Sequence, residues 1–342
     1  MIQVTSSTLR RFIGLGLLIG LLAACTRTAS TAAPVLIQPT PVSLEVALRP
    51  GIPAVVTPIP FEDLVRLFDY DQMTKIDIHE TNAVASDDFI IHDIAYESPK
   101  GGWVPAYLVT PTEEGPFAGI IFLHPGGGDR SYFLNEAKKL AKMGAVSLLV
   151  DDNFSAKGQA ADQDRIVRII VDVRRAVDLL TARSDVDPRR IGFVGHSYGA
   201  NLGGVLAGVE HRIAAYVFTS GNARLSQDLI GLFNWSPGGE AQYLQFMAQL
   251  DGIHFIGHAA PAALLFQNAR HDALNSEQDV LDFHRAASEP KTVKWYDAYH
   301  QLNAEAEQDR AEWLSQRLNL RIGPLPGENI GMGPETSLDD QG

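Results

Sequence analysis

The pentapeptide Gly195-His196-Ser197-Tyr198-Gly199 constrains this chain more than any other feature. Residues 190–194 before it, Arg-Ile-Gly-Phe-Val, read as a short buried strand. Residues 200–208 after it are rich in small side chains and read as a helix packed closely on a sheet. A serine on so abrupt a strand-to-helix turn is held in strained backbone, and glycines two residues to either side remove side chains that would strike the neighbouring strand and helix. The turn lifts the hydroxyl above the sheet edge and aims the N-terminus of the following helix at whatever binds there. Gly-x-Ser-x-Gly alone also describes ordinary glycine-rich loops; the flanking strand and helix favour a serine presented for chemistry.

The surrounding pattern predicts an α/β fold, a mostly parallel central sheet with helices on both faces, over residues 61–322. Residues 89–96 and 103–109 read as an antiparallel pair joined through Lys100-Gly101-Gly102. The apolar run 119–123 leads into His124-Pro125-Gly126-Gly127-Gly128, residues 134–143 read as a helix, and 146–150 as the next buried strand. A long helix follows, with Ile166, Ile169, Ile170, Val173, Val177 and Leu180 on one face at helical spacing. Residues 213–219, 262–267 and 292–296 supply three more strands after the elbow, joined by crossovers that parallel pairing requires. Residues 222–258 exceed a simple crossover and are expected to form a partial cap.

The N-terminus reads as an export signal over residues 1–24. Arg10 and Arg11 give a positive start, residues 12–22 an apolar stretch too short to span a membrane, and small residues lead to Cys25, the one cysteine of the chain. Residues 25–60, with prolines at 34, 39, 41, 50, 53, 58 and 60, read as an extended tether, and residues 323–342 as a disordered tail. A lone cysteine excludes an internal disulfide. The formal net charge of −13 comes with no basic stripe, so nucleic acid is not an expected partner. Composition leaves the oligomeric state open.

A serine hydroxyl becomes a competent nucleophile when a base takes its proton and a third group fixes the base. In this architecture the expected chain order is Ser, then Asp or Glu, then His, on loops beyond the C-terminal ends of strands. Strand 262–267 delivers Asp272 and strand 292–296 delivers His300, so the candidate assignments are Ser197 as nucleophile, His300 as base and then acid, and Asp272 as orienting carboxylate. Asp297 is read as a solvated or turn-forming carboxylate, Glu277 and Asp279 as first-turn acids of a following helix, His271 as a wall or surface residue, and His196 as a structural residue pointing away from Ser197. Oxyanion donors are expected from the N–H of Tyr198 and from Gly126, with Gly127 second because Pro125 has no N–H; His124 is expected to brace that loop. His254 and His258 have i,i+4 spacing, but Pro261 and the missing glutamate argue against a zinc site. Gly126-Gly127-Gly128 lacks the Lys-Ser/Thr of a phosphate loop. Neither metal nor cofactor is expected.

Leu22-Ala23-Ala24-Cys25 resembles the lipobox of bacterial lipoproteins, which implies a diacylated Cys25, membrane contact through that lipid alone, and an exported, extracytoplasmic protein anchored to a bacterial membrane. From residue 89 to residue 318 the chain resembles the α/β-hydrolase superfamily, nearest to dienelactone hydrolase-like and prolyl-oligopeptidase-like esterases. The likeness rests on His124-Pro125-Gly126-Gly127-Gly128, Asp187-Pro188-Arg189-Arg190-Ile191, the elbow, Asp272 and His300. Ser197 stands where dienelactone hydrolases carry cysteine, and there is no room for the propeller of prolyl oligopeptidases. The resemblance implies a carboxylic-ester hydrolase acting on a small-molecule ester. A peptidase or thioesterase of the same fold and a non-catalytic binding protein on the same scaffold are the open alternatives.

Overall fold

A computed structural model describes residues 59–152, 159–231 and 239–321. The export signal, Cys25, nearly all of the tether, the tail and the stretch 232–238 within 222–258 lie outside the described residues.

Among the described residues nine strands form one sheet. In chain order they are β1 (Ile78–Ala85), β2 (Phe89–Glu97), β3 (Trp103–Pro111), β4 (Phe117–Leu123), β5 (Ala145–Val150), β6 (Val186–His196), β7 (Ala215–Thr219), β8 (Ala263–Ala269) and β9 (Lys291–Tyr296). Their order across the sheet is β1-β2-β3-β5-β4-β6-β7-β8-β9. The first three strands and the β3–β5 pairing are antiparallel; from β5 to β9 every pair is parallel. The parallel strands β4, β6, β7, β8 and β9 therefore end on one edge, which is where the loops that matter emerge.

The helices are α1 (Phe61–Arg66), α2 (Leu134–Lys142), α3 (Gln159–Thr181), α4 (Tyr198–Val209), α5 (Leu225–Ile230), α6 (Gly239–Met247), α7 (Glu277–Ala286) and α8 (Ala304–Leu318). Side chains alternate along each strand, so successive residues feed opposite layers. Phe193, Tyr216, Phe218, Leu264 and Phe266 join one core with the α3 stripe, α4 and Phe283 of α7. Val194, Val217 and Leu265 join the other with Leu140 of α2 and Trp313 and Leu314 of α8. All six apolar residues read from the sequence as the α3 stripe are buried in the first core.

Two features depart from the sequence reading. β1 was not anticipated: it is exposed along its whole length and pairs only with β2, so no burial pattern marks it. β6 begins at Val186, earlier than residue 190, because Val186 pairs with Phe117 across an irregularity before the regular register resumes at Ile191. Within 222–258 the described parts form α5, α6 and three short 3₁₀ turns, Ala248–Leu250, Gly252–His254 and Ile256–His258. The last two of these turns pack on α4. His254 and His258 thus sit on separate turns, and the His258 ring stacks on Phe61 at 3.6 Å between centroids. Among the described residues no helix is long and apolar enough to cross a membrane.

Candidate active site

β6 ends at His196, and Ser197 takes φ 52° and ψ −115° before α4 begins at Tyr198. This backbone is unfavourable for a non-glycine residue and persists because its surroundings over-determine it. The Ser197 N–H donates to Thr219 O at 2.9 Å, while the Ser197 carbonyl accepts from the N–H groups of Ala200 and Asn201. The turn leaves no space at either glycine: a Cβ on Gly195 would overlap the Gly199 carbonyl, and one on Gly199 would overlap Leu123 O. Every residue of α4 is buried, which is why its sequence is small and apolar.

Asp272 follows β8 and His300 follows β9, and the fold brings both to Ser197. His300 Nε2 lies 2.8 Å from Ser197 Oγ, and its Nδ1 lies 2.9 Å and 3.0 Å from the two carboxylate oxygens of Asp272. With Asp272 accepting from Nδ1–H, Nε2 is left to accept the serine proton. Asp272 Oδ1 also accepts from the N–H groups of Leu274 at 2.9 Å and Asn275 at 3.1 Å. Burial works against its charge, but the His300 hydrogen bond and these two amides outweigh it and hold the carboxyl below its ordinary pKa.

Residues that the sequence did not single out complete the constellation. Asn275 Nδ2 donates to Asp272 Oδ2 at 3.1 Å and to Ser220 O at 2.7 Å, and its Oδ1 accepts from Asn222 Nδ2 at 2.7 Å. Ser220, with φ 49°, donates its hydroxyl to the His300 carbonyl at 2.6 Å. These contacts tie the loop after β7 to both Asp272 and His300.

The other candidates are placed as follows. His271 is exposed and pairs with Asp297 at 2.6 Å, which itself is exposed. Glu277 and Asp279 sit in the first turn of α7, where Ser276 caps the Asp279 N–H. His124 Nδ1 lies 2.7 Å from Pro125 O, and its Nε2 accepts the Asp152 N–H at 3.0 Å, so it braces the loop as expected. In that loop Gly128 N–H donates to Pro125 O at 3.0 Å and Gly127 has φ 74°, while the amides of Gly126 and Gly127 have no acceptor among the described residues. His196 is the correction. It does not point away from the site: its ring lies 5.2 Å from the His300 ring and stacks on Tyr132 at 5.4 Å. The elbow turns Ser197 sharply enough that its neighbour in sequence stays beside it in space. Burial, and then the nearby His300 and Arg310 charges, push the His196 pKa down to about 3, so this ring is neutral at physiological pH.

The chain is similar to an acetyl xylan esterase from Paenibacillus sp. R4, with a TM-score of 0.62, 19% identity, and coverage of 75% of this chain and 93% of that one. Acetyl xylan esterase 1 from Thermoanaerobacterium sp. JW/SL YS485 gives 0.64, 17% identity, 76% and 94%. The 2,6-dihydroxy-pseudo-oxynicotine hydrolase gives 0.54 with 19% identity, covering 73% of this chain and 71% of that one. The fold is that of an α/β-hydrolase. An uncharacterized protein of Mycobacterium tuberculosis strain H37Rv is 28% identical over 145 residues, 42% of this chain. The chain thus spans about half, 50%, of the length of the curated relatives that it matches. No family model matches the chain. In the α/β-hydrolase frame the Ser-Asp-His chain order and the loop ends are those that the fold uses for its triad.

Proposed function

We propose that the protein is a serine hydrolase that cleaves a carboxylic ester through an acyl-enzyme. The observation that carries this reading is His300 set between Ser197 Oγ at 2.8 Å and Asp272 at 2.9 Å. His300 Nε2 takes the Ser197 proton as Oγ attacks the ester carbonyl, and Asp272 stabilises the imidazolium. The N–H groups of Tyr198 and Gly126, with Gly127 as second choice in the loop, donate to the oxyanion of the tetrahedral intermediate, each worth ~3 kcal/mol in such sites. Collapse expels the alcohol, protonated by His300 Nε2, and leaves the acyl group on Ser197 Oγ. A water deprotonated by His300 then attacks the acyl carbonyl, releasing the acid and restoring the serine. These steps use only this chain's side chains, its amides and water.

Three observations support an ester over an amide or thioester: the two acetyl xylan esterases and a methylesterase among the similar structures are esterases by name. The lipobox-like segment ending at Cys25 supports export and anchoring by a lipid on that cysteine. Radiolabelled palmitate incorporated by the full chain and absent from Cys25→Ala is the expected result for the anchor; equal incorporation in the variant contradicts it.

The hydrolase reading is tested with a fluorophosphonate, which forms a covalent adduct only with an activated serine. Mass spectrometry is expected to place one adduct on Ser197 and none on Ser197→Ala. An unlabelled native protein would contradict the reading and leave a binding scaffold in its place.

A further inference from the structure

Beside the triad lies a cavity of about 690 Å³ between the loop carrying Tyr132 and the segment that follows His300, lined among others by Tyr132, Glu136, His196, Thr219, Gln301 and Arg310. Its charges are matched within the protein. Arg310 makes a two-pronged pair with Glu136 at 2.7 Å and 2.5 Å, both side chains being buried, and at the rim Lys139 pairs with Glu307 at 2.6 Å. A cavity whose cations and anions already hold one another offers no surplus charge to an ionic ligand.

His196 supplies what remains. It is 3% exposed. Its Nδ1 lies 2.9 Å from Thr219 Oγ1, and the Thr219 hydroxyl donates to Gly195 O at 3.0 Å. A hydroxyl has one proton, so with that proton on Gly195 O the oxygen can only accept from His196, and Nδ1 carries the hydrogen. Nε2 is then an unprotonated acceptor. Among the described residues no hydrogen bond reaches Nε2, and the residue lines the cavity. The ring is held in place by its stacking on Tyr132, itself 42% exposed and so available to a bound group. An unpaired acceptor on a buried ring at a cavity wall rewards a donor and penalises a group that leaves it bare.

We propose that this cavity takes a neutral, hydroxyl-bearing part of the ester, and that His196 is the specificity-determining residue that accepts a hydrogen bond from that hydroxyl. The inference rests on the hydrolase reading above. The hydroxyl can belong to the alcohol or to the acyl portion, because either flanks the carbonyl held at Ser197.

Both sources are tested by pH-stat titration of acid release by the full chain, each rate divided by the alkaline hydrolysis rate of the same ester. Glycerol 1-acetate against n-propyl acetate probes the alcohol side, and ethyl 2,3-dihydroxypropanoate against ethyl propanoate the acyl side. The expected kcat/KM ratio favours the hydroxylated ester by roughly tenfold in one of the two pairs, the discrimination of one buried hydrogen bond. In His196→Phe that ratio falls toward one, and in His196→Gln, whose amide oxygen can reach the position of Nε2, it recovers in part. Ratios near one in both pairs overturn the inference, as does a preference that His196→Phe leaves intact; the first outcome is read on the native chain alone. Fluorophosphonate labelling of the same samples separates the two claims. A labelled protein with flat ratios overturns the hydroxyl-reading cavity alone, and an unlabelled protein that hydrolyses no ester overturns both.

Discussion

Ser220 donates its hydroxyl to the backbone carbonyl of His300 at 2.6 Å while its own backbone sits at φ 49°. Both groups are buried, Ser220 at 1% exposure. His300 is therefore held from behind as well as by Asp272. Ser220→Ala leaves the His300 carbonyl buried without that donor, a cost of about 1–3 kcal/mol in stability. Because the change reaches the reaction only through the position of His300, kcat on p-nitrophenyl acetate is expected to fall roughly tenfold with KM little changed. A variant with native kcat would show that the loop holds His300 without this contact.

Two carboxyls set opposite pH dependences. Burial, against the hydrogen bonds from the Ser226 N–H and hydroxyl, pushes Asp251 up to about 7. A carboxyl raised on folding contributes stability that is fully present below its unfolded pKa of about 4 and is lost as pH rises through about 7. Asp272 is depressed, so its contribution is present above that unfolded value and is lost as pH falls through its lower folded value. Raising the pH from about 5 to about 8 is thus expected to lower the melting temperature through Asp251, and Asp251→Asn to flatten that fall. Thermal melts of both proteins across the range decide it, and parallel curves would contradict the assignment.

Gly199 packs its Cα against the end of β4. Gly199→Ala would drive a methyl into the Leu123 carbonyl, with His124 O at 2.8 Å as the next neighbour, and backbone cannot swing aside as a side chain can. A loss of several kcal/mol is expected, seen as poor soluble yield or a collapse in melting temperature, and with it loss of the elbow.

The Arg310–Glu136 pair floors the cavity beside His196. Glu136→Gln leaves the Arg310 charge buried without its partner and is expected to destabilise by about 3–5 kcal/mol. Glu136→Leu combined with Arg310→Met removes both charges and is expected to recover most of that loss in urea unfolding. A double change as damaging as the single one would mean that Gln267, which accepts from Arg310 at 2.8 Å, depends on the pair as well.

Most of the geometry of the candidate site was legible because its signals are local. Gly195, Ser197 and Gly199 mark a turn that sterics allow in few other ways, and Asp272 and His300 each follow an apolar run that reads as a parallel strand. The supporting contacts were not legible, since they join residues far apart in sequence: Ser220 to His300 across 80 positions, Asn275 to Ser220 across 55. β1 carries no burial pattern to read. α8 carries Arg310 on its buried face, and a charge facing inward blurs the apolar spacing by which a helix is recognised. His196 was misplaced because the chain turns at Ser197, and what lies beside the ring, His300 and Tyr132, comes from distant parts of the sequence.

The most direct test of the central claim is p-nitrophenyl acetate turnover by the full chain beside Ser197→Ala and Asp272→Asn. The expected result is steady turnover by the native chain, none above background for Ser197→Ala, and a loss of about 10³–10⁴ in kcat for Asp272→Asn, which can no longer fix the His300 tautomer. Equal turnover by Ser197→Ala and the native protein would contradict the claim that Ser197 is the nucleophile.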